Sequence, residues 1–269
     1  MVRGVKFRLL IQIKLNKVAQ SFKIYRNQFY IKVYQLSFDE ELAKNVVAEF
    51  INKDNPKETG LDTAFVEICR FLNDNPDRLS WRTKNKPSIT DESGLKALAE
   101  KYFNGFRKSD FPAEPKTVSD EMVSIVMQYA YDYSLEECER IKKEHQYSMC
   151  AENCVGSLLE RYLDSVLREQ GWYWCCGDFI KAIDFISKDE NQKWLAFQIK
   201  NRDNTENSSS SAIRNGTQTQ KWFRSFSRKG GTNWSNLPEL MKGYQLSEEN
   251  FIAFVKQYLI EEKVKQQTR

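Results

Sequence analysis

Residues 178–204, DFIKAIDFISKDENQKWLAFQIKNRDN, decide the fold. Two apolar runs of strand length, 179–187 and 193–201, flank a polar turn of Lys188, Asp189, Glu190 and Asn191, and β-branched and aromatic residues in such runs favour pleated backbone. Side chains alternate along a strand, which puts Gln198 and Lys200 on one face and Phe197 and Ile199 on the other. If the two runs pair as a hairpin, Asp184 comes to the same edge as Gln198 and Lys200. A carboxylate and an amide oxygen side by side can hold a hard cation such as Mg²⁺. A lysine beside them can align a water or balance charge that develops on a phosphate. The residues therefore point to metal-dependent cleavage of a phosphodiester.

WYWCC (172–176) reads as a preceding strand, and the dense apolar content of all three predicts a sheet covered on both faces. Asp184 interrupts the apolar run AIDFI. A buried carboxylate without a partner costs several kcal/mol, on the order of what a lost core side chain costs, so Asp184 requires a cation or donors. A salt bridge to Lys181 or Lys200 is the structural alternative.

Downstream, Asn201–Thr219 carries no apolar residue except Ala212 and Ile213. Four consecutive serines fit a flexible linker. Against that, Asn201, Arg202, Asn204, Asn207, Arg214 and Gln218 are side-chain types that read base edges of adenine and guanine. The next piece, KWFRSFSRK (221–229), pairs Trp222, Phe223 and Phe226 for packing with Lys221, Arg224, Arg228 and Lys229 for phosphates. Double-stranded DNA is the expected partner.

This pattern resembles the PD-(D/E)xK nucleases, and within them the type II restriction endonucleases of the SinI type, over roughly residues 150–240. Ile183 stands where the pattern has proline, and Gln198 stands where it has an acid. The resemblance implies a restriction-endonuclease-like α/β core with a mixed central sheet flanked by helices. It implies Asp184, Gln198 and Lys200 as catalytic residues, and Glu160 on the preceding helix as the group that completes the metal site with Asp184 and Gln198. It also implies Mg²⁺-dependent double-strand cuts at a short palindrome such as GGWCC, products with 5′-phosphates, a homodimer and a cognate DNA methyltransferase. A DNA-binding module with a decayed centre, or a structure-selective or RNA-directed nuclease on the same fold, is the alternative.

At 269 residues with 41% hydrophobic content, the chain can bury a substantial core. Its net charge of +4 is unevenly spread: residues 1–38 hold eight Lys/Arg and no acid, so the remainder is net acidic and nucleic-acid binding must rest on local patches. Three regions are expected: a basic N-terminal extension (1–36), a helical region (37–147) and a nuclease core (148–269). The extension fits a hairpin, an arm toward phosphates, or a segment outside the fold. Helices are predicted near 40–51 (capped by Ser37-x-x-Glu40), 62–73, 93–106 and 120–131. A fifth follows Ser134-x-x-Glu137, and a separate sixth spans 151–168 and carries Glu160. Their apolar stripes are read as core. A last amphipathic helix follows Ser247. No apolar run is long enough to cross a bilayer and no signal peptide is evident. Six cysteines without paired spacing read as reduced thiols, so a cytoplasmic location is expected.

Overall fold

A computed structural model of the chain describes residues 38–204 and 219–268. The basic extension, the Ser37 cap, and Asn207, Arg214 and Gln218 lie outside the described residues.

Among the described residues, the N-terminal half is helical because its apolar stripes recur at helical spacing, and side-chain caps open the first and third of its helices. In α1 (Glu40–Ala48), Asp39 accepts the Leu42 N–H at 3.0 Å and caps the helix. Helix α2 spans Leu61–Asp74. Helix α3 (Glu92–Arg107) begins where Asp91 accepts the Gly94 N–H at 2.8 Å. The three bury Val46, Phe65, Ile68, Leu98 and Phe103 in one core, where Phe65 lies 5.8 Å from the Tyr102 ring. Each such side chain contributes about 1.5–3 kcal/mol through burial.

Helix α4 spans Glu121–Tyr131. Helix α5 runs unbroken over Leu135–Leu167, opened by a capping box between Ser134 and Glu137. The sequence predicts two helices here. The chain between them holds no proline, and Cys138 and Cys154 both face buried surroundings, so nothing stops the helix. The expected boundary at 147/148 falls inside it. The core reading of the stripes fails on α4, whose large apolar residues are mostly exposed.

The sheet has strand order β1-β2-β3-β4: β1 (Tyr173–Trp174), β2 (Phe185–Lys188), β3 (Trp194–Arg202) and β4 (Thr219–Ser225). The first three are antiparallel neighbours and β4 runs parallel to β3. The hairpin register is Phe185↔Phe197, as alternation requires. Strand β2 is shorter than the apolar run from which it was predicted. Ala182 adopts a left-handed φ of 52°, and Ile180 bridges Leu79 instead, with the Ser80 N–H donating to the Phe179 carbonyl at 2.8 Å. Pairing with the helical half thus outcompetes a longer β2.

Phe197, Ile199 and Phe185 are buried against α5, which presents Leu158, Leu159 and Leu163. Helix α3 closes on the loop before Asp178 at a glycine pair: a Cβ on Gly105 would lie 2.4 Å from the Gly177 nitrogen. Any side chain there would push the helix away from the strand that carries Trp174. Helix α6 (Glu248–Gln267) packs Phe251 and Phe254 each 5.5 Å from the Tyr162 ring, which fixes α5 from its other side.

Candidate active site

Asp184 sits at the start of β2, one residue before regular pairing begins. Its N–H donates to the Phe197 carbonyl and its own carbonyl accepts the Cys175 N–H, both at 2.8 Å. These two bonds fix the backbone, and the Ile199 N–H then donates to Asp184 Oδ2 at 2.6 Å. One residue beyond the Phe185↔Phe197 pair, Asp184 faces Gln198, which is only 2% exposed. The convergence expected from the hairpin is therefore present.

Glu160 reaches this group from α5. Trp174 donates its indole N–H to Glu160 Oε2 at 2.9 Å. The neighbouring cations on α5 that could have neutralised Glu160, Arg161 and Arg168, are engaged elsewhere. Arg161 donates from Nε to Asp110 Oδ2 at 2.8 Å, and Asp164 pairs with Arg168. The Arg161 guanidinium also covers the Trp174 ring at 5.2 Å, which holds the indole in place.

The electrostatics identify what is missing from the protein alone. Burial raises the Asp184 carboxyl to about 6, opposed by the Lys200 ammonium and the Ile199 N–H, and reinforced by Asp178. Burial and the adjacent Asp184 push Glu160 well above the usual carboxylate range, against the Trp174 hydrogen bond and Lys200. Two carboxylates that resist ionising together, next to a buried amide oxygen, form a donor set suited to a hard divalent cation. Among the described residues no three His, Cys, Asp or Glu are grouped so that they alone could hold a metal ion, so Gln198 and water would complete the coordination. The residues fit the cation.

Lys200 lies on the same face of β3 as Gln198. Lys221, expected as a phosphate contact, is the register partner of Gln198 on β4, so it rises from that face too. A row from Asp184 through Gln198 to Lys221 thus crosses the sheet, with Lys200 beside it.

The other expected DNA contacts divide. Arg228 is exposed after β4, and Asn204 is exposed after β3. Arg224 is not turned to solvent. Its Nε donates to Asn201 Oδ1 at 2.9 Å, its Nη1 to Glu248 at 2.5 Å, and its guanidinium covers Phe251. Arg224 and Asn201 therefore tie β3 and β4 to α6, because a charge this enclosed requires a fixed partner. Arg202 donates to the Ser227 carbonyl at 3.3 Å and lies 3.9 Å from Glu152. Trp174 and the Ile199 N–H were missed by sequence reading. Trp174 could have been found only by knowing that β1 adjoins α5, and the Ile199 N–H only from the register of Asp184 against β3.

A mixed sheet between helices, gathering two carboxylates, an amide and lysines on one face, is the architecture of the restriction-endonuclease-like class of α/β protein. The family model for SinI restriction endonuclease matches residues 41–261, and the chain belongs to that family. It is 45% identical over 224 residues to the type II restriction enzyme Eco47I of Escherichia coli, covering 82% of this chain and 94% of that one. It is 43% identical over 223 residues to the type II restriction enzyme SinI of Salmonella infantis, with the same coverage. Kinship of this extent supports a site-specific nuclease as the class of activity. Among the described residues, no helix is long and apolar enough to cross a membrane.

Proposed function

We propose that this protein is a cytoplasmic type II restriction endonuclease. It makes Mg²⁺-dependent double-strand cuts in DNA at a short palindrome of the GGWCC kind and leaves 5′-phosphates. It acts as a homodimer beside a methyltransferase that protects host DNA. The observation that carries this reading is the meeting of Asp184, Gln198 and Glu160 on one face, with Lys200 alongside.

In this scheme Asp184, Gln198 and Glu160 hold Mg²⁺, which when bound polarises the scissile phosphate and acidifies water. The Ile199 N–H keeps the Asp184 carboxylate directed into the site. The Trp174 indole does the same for Glu160, and both reduce the reorganisation needed as charge builds. The Lys200 ammonium aligns the attacking water and balances the additional negative charge on the phosphate. Water forms the new P–O bond as the P–O3′ bond breaks; the attacking water gives up a proton to solvent and the departing 3′-oxygen takes one from solvent, leaving a 5′-phosphate and a 3′-hydroxyl. Arg228, Asn204, Lys221 and, from the polar run, Asn207, Arg214 and Gln218 contact DNA.

Incubating the purified protein with plasmid DNA and Mg²⁺ tests the reading. Discrete fragments whose ends map to one palindrome are expected. A smear would indicate an unspecific nuclease, and binding without cutting would indicate a DNA-binding module with Gln198 as the lost acid.

Gln198 allows a sharper test. Gln198→Glu is expected to lower the Mg²⁺ concentration for half-maximal cleavage about tenfold, because it adds a carboxylate ligand. Without metal the same change should lower the melting temperature, since a third buried carboxylate joins two that already resist ionising. Glu160→Ala should raise the Mg²⁺ requirement strongly in the wild type and less in the Gln198→Glu background. The coupling is read from Mg²⁺ titrations of all four proteins. Strict additivity would remove Glu160 from the metal site.

A further inference from the structure

The hairpin made by α4 and the first half of α5 lies outside the candidate active site, and its packing is inverted. Met122, Ile125, Val126 and Tyr129 follow i, i+3, i+4, i+7 spacing and form one stripe along α4. They are 59%, 44%, 54% and 87% exposed, and Val118, just ahead of the helix, is 96% exposed. The α4 residue that is buried is Ser124. Its hydroxyl donates to Glu139 Oε1 at 3.1 Å and its carbonyl accepts the Cys138 thiol at 3.7 Å. A helix that served only its own monomer would turn the apolar stripe inward and the serine outward.

Five neighbouring side chains this open make a contiguous apolar patch of roughly a few hundred Å² or more, the size that marks a protein contact site on a surface. Between Glu121 and Asp132 it carries no charge, so a partner can cover it without stranding an ion. It offers no cation to a DNA phosphate. A straight, uncharged apolar stripe is complementary to its own two-fold copy, which is the condition for an isologous contact.

We propose that the α4 stripe is the surface through which two copies of this chain associate. This identifies the contact for the homodimer of the proposed function and rests on that reading for its biological use. Helix α5 flanks the stripe and also carries Glu160, so a single rigid element joins the contact to the site.

Sedimentation of the full chain without DNA or metal tests the proposal. The wild type is expected at twice the 31.7 kDa chain mass. Val126→Glu and Tyr129→Glu should each weaken self-association about 100-fold or more, with unchanged circular dichroism because both positions are exposed. Ile260→Glu, at an equally open apolar position on α6, should remain dimeric. A monomeric wild type at tens of micromolar, stripe variants that stay dimeric, or an Ile260→Glu protein that dissociates as they do would each overturn it. A dimeric wild type that fails to cut plasmid would overturn the nuclease reading alone, and a monomer that cuts would overturn this proposal alone.

Discussion

Asp184→Asn is expected to abolish cleavage, by about 10³-fold or more, while making the metal-free protein more stable. The loss follows from removing the negative ligand at the centre of the site, a position that can contribute several kcal/mol of charge stabilisation. The gain follows from the same geometry. Burial raises the Asp184 carboxyl to about 6 in the fold, against roughly 3.9 in the unfolded chain. The native state therefore holds a proton that the unfolded state has released between these values, and stability falls as pH rises through that window. Above it the full penalty persists, on the order of 1–2 kcal/mol once the partial exposure of the side chain is considered. Asparagine keeps an oxygen for the Ile199 N–H and carries no charge, so the metal-free melting temperature should rise by roughly 2–4 °C at pH 8. The rise should be smaller at pH 5. Thermal melts of both proteins at the two pH values, with chelator, check this. A variant that cuts at near wild-type rate would remove Asp184 from catalysis, and one that melts lower at pH 8 would give it a structural role.

Lys200→Ala is expected to slow cleavage about 10²- to 10³-fold with DNA binding retained, the size of losing one positioned donor. Lys200 lies in the middle of the sheet, paired in register with Phe223, so its reach is set by a rigid strand. Lys200→Arg should not restore the rate. A guanidinium is planar and extends further, and the compact ammonium is what fits beside two carboxylates and a phosphate. Single-turnover cleavage at saturating Mg²⁺, with binding measured in Ca²⁺ or chelator, separates the step from affinity. Full activity in the arginine variant would show that only charge is needed.

The hairpin and its chemistry were legible from local sequence. Period-two alternation put Gln198 and Lys200 on one face, and a short polar turn forced Asp184 back toward them. Helix starts at Asp91, Asp120 and Ser134 were legible to within a residue or two for a similarly local reason, since a cap needs only its own first turn. What failed depended on competition between distant segments. The apolar run 179–184 reads as strand, yet Ile180 pairs with Leu79, a partner a hundred residues away.

By itself the sequence determined the α/β class, the strand that bears Gln198 and Lys200, and the acid that faces them, because backbone periodicity and side-chain chemistry are properties of neighbours along the chain. Only the tertiary structure decided that Arg224 serves α6 and Glu248, that Lys221 joins the row of Gln198, and that Trp174 holds Glu160. Those outcomes depend on which charges become enclosed together. It also decided that the α4 stripe faces outward. Periodicity states that a helix has an apolar face, and packing alone determines what that face meets.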